Sequence, residues 1–409
     1  MSTSNFASRE RGLPGDVDRI SNLPEGIMEK ILFRCLPASD SIRMSFVSKT
    51  WQSLWKSLPV SNDIYLDTKD FPSMEKFVTS VDDSLGILHE HEHRRHIIPY
   101  FCLTGSYDDE MLSSHVNRWM KLVSKHYVVT LIFNNYEEIP KYKFPPAAFD
   151  VGSLVELSLD HCILKKDLVK EDTRFCSLKL LELNDVDFDE LVIGNLLSRC
   201  PSLETLILIF CKNIEYLELV EFPKLRRVSL TQSWYGVYKY KIESAILESL
   251  TFVGLSNPLD LEAIYCSDLK DLHLVAGGTG TITNSYIQEL NLQFPGLSNL
   301  TLRANSFEGD EIRLSSNQLK SLDIGRNIYA KNVSIDAPEL LSYRGESKEI
   351  PSSFAVNFEK LEFAYHRFED VKNLHTEWFL KLRHYLRDFA AARKLAVTIS
   401  RPHVPAVSL

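Results

Sequence analysis

Two stretches of this 409-residue chain carry residue types that can do chemistry. The first, HEHEHRRH from His89 to His96, could offer imidazoles to a transition metal. Joint ligation by His89, His91 and His93 requires a strand, because only a period of two puts alternate residues on one face. The surrounding Glu and Arg charges point instead to a solvated loop. The second, VAGGTGTIT from Val275 to Thr283, hints at a phosphate cradle. It lacks the Gly-Lys-Ser/Thr of a P-loop and the third glycine of the dinucleotide fingerprint, so a loop leaving a strand is expected. No serine stands in a nucleophile context with His and Asp, and no carboxylate pair stands out. The seven cysteines (Cys35, Cys102, Cys162, Cys176, Cys200, Cys211 and Cys266) are scattered, odd in number and without a C-x-x-C pair. That favours buried, reduced thiols over zinc or redox chemistry. The chain reads as non-catalytic, with no metal and no other cofactor.

The elements that would position any site therefore matter more than reactive groups. Hydrophobic content is 44% and net charge −9, a globular composition that speaks against a nucleic-acid partner. No apolar run is long enough to cross a membrane, and the polar start MSTSNFASRERGLPGDVDR lacks the apolar core of a signal peptide. Cytoplasm or nucleus is the expected location, where the sequons at Asn299 and Asn332 stay unmodified.

From Val128 onward one phrase, L-x-x-L-x-L, recurs. It begins at Leu154, Leu178, Leu203, Ile214, Leu225, Leu247, Leu269, Ile287, Leu297, Leu319 and Phe358. Several spacings match the period of a leucine-rich repeat and others are about half of it, which suggests irregular repeats, some lacking a back helix. The longer signature L-x-x-L-x-L-x-x-N/C-x-L appears with Cys162, Asn305 and Asn327 at the polar position, where the side chain is expected to turn inward and satisfy backbone groups. Upstream, SNDIYLD, IIPYFCL and YVVTLIF read as strands and DDEMLSSHVNRWMKLVSKH as a helix, an atypical first repeat covering the solenoid's open end. Downstream, a helix with Trp378, Leu382, Tyr385, Leu386 and Phe389 on one face precedes a last strand.

The segment from Leu23 to Trp55 reads as three short helices. Pro24 and Glu25 suit a first turn, Ser39 or Asp40 can cap a second helix with Ile42, Phe46 and Val47, and Ser48 can cap a third with Trp51, Leu54, Trp55 and Leu58. So small a unit cannot bury all its apolar surface alone. DRISNLPEGIMEKIL followed by LPASDSIRMSFVSKTWQSLWKSLP resembles the F-box of plant leucine-rich-repeat F-box proteins. ILFRCLP is one residue longer than the family's pattern, which leaves Cys35 and Leu36 without an assigned contact. The C-terminal end does not match the FBD module that often closes such proteins.

The resemblance implies docking to a Skp-type adaptor, and through it to a cullin–RING (SCF) ubiquitin ligase. Leu23, Pro24, Ile27, Ile31 and Leu32 would face the adaptor, with Ile42 and Val47 assisting. Trp51, Leu54 and Trp55 would form the module's core and its junction with the next domain. The expected fold class is α/β: an all-helical F-box, an irregular leucine-rich-repeat solenoid with parallel strands on its concave face, and a helix–strand cap. The divisions are a lead-in (1–16), F-box (17–62), atypical first repeat (63–127), solenoid (128–365) and cap (366–409). The third and fifth positions of the phrase point away from the core and are rich in carboxylates. Glu182, Tyr216, Glu218, Arg227, Asp271, His273, Glu289 and Asp323 are the expected target-binding face, for a basic or neutral protein. The implied role is a substrate receptor; the alternatives are a ligand-sensing receptor with a small molecule in the solenoid and a cullin-independent scaffold.

Overall fold

A computed structural model describes residues 20, 23–31, 44, 46–57, 63–90, 96–107, 110–136, 140–145, 153–166, 175–189, 192–232, 239–254, 259–328, 331–371 and 374–400. Fourteen strands form one parallel sheet in chain order. They are β1 (Ile64–Asp67), β2 (Ile97–Gly105), β3 (Tyr127–Asn135), β4 (Glu156–Asp160), β5 (Leu180–Asn184), β6 (Thr205–Ile209) and β7 (Arg227–Thr231). They continue as β8 (Ser249–Gly254), β9 (Asp271–Ile282), β10 (Asn299–Phe307), β11 (Ser321–Ile328), β12 (Ser342–Ser347), β13 (Phe363–Phe368) and β14 (Lys394–Ile399). The second leucine of the phrase sets the register: Leu157, Leu181, Leu206, Val228, Leu250, Leu272, Leu300 and Leu322 pair across successive strands and are all buried. A one-residue slip would turn this row outward, so the apolar pattern fixes the pairing. The chain is thus an α/β solenoid of parallel strands behind an N-terminal helical module.

A back layer closes the core. Before the sheet come α1 (Glu25–Lys30) and α2 (Lys49–Lys56); then α3 (Met74–Glu90) and α4 (Glu110–Val123) lie behind the first strands. Phe77, Val81 and Leu85 recur at i, i+4 and i+8 along α3, and Leu112, Val116, Trp119 and Val123 line α4; all are buried. Phe77 meets Trp119 edge-on at 6.0 Å, and the Trp119 indole donates to Asp82 at 2.7 Å. Farther along, the back holds α5 (Val192–Leu197), α6 (Asn284–Gln293), three short parallel sheets and finally α7 (Thr376–Arg387).

The structure corrects several expectations. The phrase at Ile214 is a back strand, Tyr216–Val220, paired with Lys239–Glu243, so Tyr216 and Glu218 lie on the opposite side of the core from the long sheet. The phrase at Ile287 is helix α6, and Glu289 is exposed on it. Three apolar residues in six satisfy either period, and the Thr283 hydroxyl, accepting from Tyr286 N–H at 3.1 Å, supplies the cap that selects the helix. The phrase at Phe358 is three residues out of register: β13 aligns Ala364 with Tyr343, so Leu361 opens that repeat. VAGGTGTIT is no loop but the outer half of β9, with a register shift between Ala276 and Thr281. His89 falls within α3. Cys162 is fully buried and its thiol donates to Asp160 C=O at 3.1 Å; Asn305 is half-buried, and Asn327's side chain lies outside the described residues.

Near the C-terminal end a glycine permits a close approach. A Cβ on Gly345 would sit 2.3 Å from His366 Nδ1 and 2.7 Å from the Tyr343 hydroxyl. Gly345→Ala is expected to lower stability by about 2 kcal/mol, because buried rings must move; an unchanged urea midpoint would contradict this packing.

Candidate binding surfaces

The helical module rests on the solenoid through a second, small core. Ser48 Oγ accepts from Trp51 N–H at 3.4 Å and starts α2, which buries Trp51 and Leu54 against Met28 of α1 and Tyr127 of β3. Trp55 lies against Tyr127, centroids 4.6 Å apart at 64°. Leu23 and Ile31 are half-buried against this cluster, so part of their apolar surface is already committed. Pro24 is exposed, and Ile27 and Val47 are 48% and 55% exposed. Leu32 and Ile42 lie outside the described residues. Sequence reasoning missed Met28, which belongs to the core; Phe46, placed on the second helix but not assigned to the adaptor face, is 78% exposed. The i, i+3 spacing of Met28 with Ile31 was the available signal for the former.

The open face of the long sheet is zoned rather than acidic. With Tyr216, Glu218 and Glu289 elsewhere, its middle is apolar and hydroxylic, with Leu180, Ile207, Ile209, Thr231 and Val253 in adjacent strands. Charge gathers toward β9–β13. There Glu182's cross-strand row continues through Ile207, Ser229 and Thr251 to His273, Thr301, Asp323 and Arg344. Arg303 holds Asp323 at 2.9 Å, and the Arg344 guanidinium lies over the Tyr365 ring at 5.5 Å. Burial, with Arg303 nearby, lowers the His273 pKa and keeps its imidazole neutral. Burial, reinforced by Glu369, raises the Glu346 carboxyl. Asp271 and Arg227 occupy the row nearer the strand starts, Arg227 donating to Thr205 at 3.2 Å. Three arginines, Arg303, Arg344 and Arg367, thus share this zone with carboxylates; sequence spacing hid them because they lie beyond the phrase or in copies without leucines.

A tighter charge cluster lies at the exits of β4 and β5. Lys141 is 2.6 Å from both Asp185 and Asp187, and His161 Nδ1 is 2.6 Å from Asp185. Burial alone would raise Asp185, but hydrogen bonds from Lys141 and His161 outweigh it and hold the carboxylate low. His161 and Asp185 both have positive φ (52° and 45°), one at each strand exit. Lys212 also lies 3.9 Å from Asp185, so two lysines face the two carboxylates and the cluster clamps two repeat turns together. Among the described residues no group of three or more His, Cys, Asp or Glu is placed to hold a metal ion, and no helix is long and apolar enough to cross a membrane.

A helical module joined to a leucine-rich-repeat solenoid defines the class, and the comparisons place it among known proteins. Residues 20–62 match the F-box domain, and residues 116–258 match the repeats of the family described as "FBD-associated F-box protein At5g56370, LRR repeats". The chain thus carries an F-box domain followed by leucine-rich repeats similar to those of plant F-box/leucine-rich-repeat proteins. It is 28% identical over 247 residues to F-box/LRR-repeat protein 13 of Arabidopsis thaliana, covering 59% of this chain and 52% of the relative. It is 27% identical over 288 residues to the F-box/FBD/LRR-repeat protein At2g04230 of the same plant, covering 66% and 61%. The FBD-associated F-box protein At4g13985, also from Arabidopsis thaliana, is 32% identical over 197 residues, covering 46% and 41%. The matched span is thus about half the length of these relatives. F-box/leucine-rich-repeat proteins are generally non-catalytic adaptors.

Proposed function

We propose that this chain is the substrate-recognition subunit of a cullin–RING ubiquitin ligase, acting in the cytoplasm or nucleus. Its F-box docks a Skp-type adaptor, and its solenoid holds a target protein. One observation carries the reading: Ile27, Phe46 and Val47 stay exposed on a module whose own core is closed by Trp51 and Tyr127. Three exposed apolar side chains on so small a unit mark a partner surface. On this reading the chain performs no covalent chemistry; it raises the concentration of target lysines near a charged enzyme. The zoned front face supports a protein target, with an apolar centre and charged flank resembling an interface core and rim.

The test is co-purification of the adaptor with Ile27→Asp/Val47→Asp, substitutions at exposed positions that leave the core intact. Binding is expected to weaken at least about tenfold, since charges would be buried unpaired at the interface. Adaptor capture at wild-type strength, with unchanged thermal unfolding, would overturn the docking assignment.

A further inference from the structure

The back layer changes construction between α5 and the strand Tyr216–Val220, and the change leaves a sheet edge open. Lys239 N–H donates to Glu215 C=O at 3.3 Å. By the alternation of a parallel ladder, residues 215, 217 and 219 therefore direct their backbone groups to Lys239–Glu243, and Tyr216, Glu218 and Val220 direct theirs to the opposite edge. No described residue bonds them there. The next such junction is sealed. There α6 closes both neighbouring edges with side chains: Gln293 donates to Leu261 C=O at 2.7 Å and Tyr286 to Leu259 C=O at 2.9 Å. On its other side Asn284 accepts from Arg313 N–H at 2.8 Å and Asn291 donates to Ser315 C=O at 3.0 Å. Helix α5 spans six residues and offers no comparable bonds to Tyr216–Val220 among the described residues.

Between them lies a groove of about 1030 Å³, walled by Ile193, Leu197 and Pro201 on one side and Tyr216 and Phe222 on the other. Its charged lining is Glu215, Glu218 and Glu221, all exposed, with no Lys or Arg. Lys241, beside Glu218 in the next strand, is 3.1 Å from Glu243 and committed to it.

We propose that this groove binds an extended peptide of alternating basic and apolar residues, added as a fourth strand beside Tyr216–Val220. Unpaired backbone groups supply main-chain bonds, the α5 wall receives the apolar side chains, and the three glutamates select the basic ones. The site is independent of the F-box and of the face proposed for the target.

Fluorescence anisotropy of labelled acetyl-(Lys-Val)₄-amide with the full chain tests it. Saturable binding is expected, weakened at least about tenfold by Glu215→Gln/Glu218→Gln/Glu221→Gln at low salt. Methylating alternate peptide amides should abolish binding in one register and spare it in the register shifted by one residue, because only one edge of the peptide meets the sheet. Absence of saturable binding, equal binding by the triple variant, or equal effects of the two methylation registers would each overturn the proposal.

Discussion

Trp51→Ala is expected to unfold the F-box while leaving the solenoid standing. The indole is fully buried between Met28, Leu54 and Tyr127, and deleting such a ring typically costs about 3–5 kcal/mol. A helical module this small has about that much stability in total, so the loss consumes it. The solenoid is different. Each repeat contacts mainly its neighbours, and Tyr127 keeps its place in β3 through pairing with β2, so damage stops at the first repeat. Calorimetry of the variant should retain the solenoid's transition within a few degrees and lose the module's contribution, and adaptor capture should vanish with it. The exposed-site variant Ile27→Asp/Val47→Asp should lose capture without the calorimetric change. Trp51→Ala retaining full adaptor binding would show that the helices are ordered by something other than this core.

Leucine spacing was legible because it encodes a physical requirement met in nearly every repeat: two inward apolar positions on a two-residue period. It located most of the long sheet; the placing of Trp51 and Trp55 at the joint between module and solenoid came from the F-box resemblance instead. The spacing failed where other residues meet the same requirement. In β12 and β13 the inward positions hold Tyr343, Gly345, Ala364 and His366, so no leucine marks them. It also failed where the phrase serves another element, since neither Tyr216–Val220 nor α6 differs from a front strand in its apolar count. Those two misassignments placed Tyr216, Glu218 and Glu289 on the wrong side and made the front face look acidic. Side membership depends on which segment leaves the preceding turn, a tertiary fact with no local signature. The open edge beside α5 was illegible for the same reason: it exists only because a short helix is followed by a repeat built of strands.

Acid should weaken the C-terminal end through His366, and His366→Gln should flatten that dependence. The imidazole is 4% exposed, with Nε2 2.9 Å from the Ser347 hydroxyl and Nδ1 2.7 Å from the Tyr385 hydroxyl. Ser347 Oγ donates to Glu349 C=O at 2.9 Å, which leaves it to accept from Nε2–H; Nδ1 then accepts from Tyr385. Both nitrogens are satisfied in the neutral form, and burial depresses the pKa to about 3. The unfolded chain takes up this proton below about 6.5 while the native state refuses it, so stability present above that pH is lost steadily as pH falls toward 3. At about 1.4 kcal/mol per pH unit the loss reaches about 2 kcal/mol by pH 5. Glu346 works the other way: its raised pKa means the folded carboxyl gains from protonation, offsetting part of the loss in the wild type. The comparison of variant with wild type isolates His366, because both carry the same carboxylates. Urea midpoints at pH 7 and pH 5 should fall less in His366→Gln than in the wild type, although the variant starts lower at pH 7 through strained contacts with Ser347 and Tyr385. Equal falls in the two proteins would mean that His366 is protonated in the native state at pH 5, which its enclosure by Tyr343, Phe368 and Tyr385 opposes.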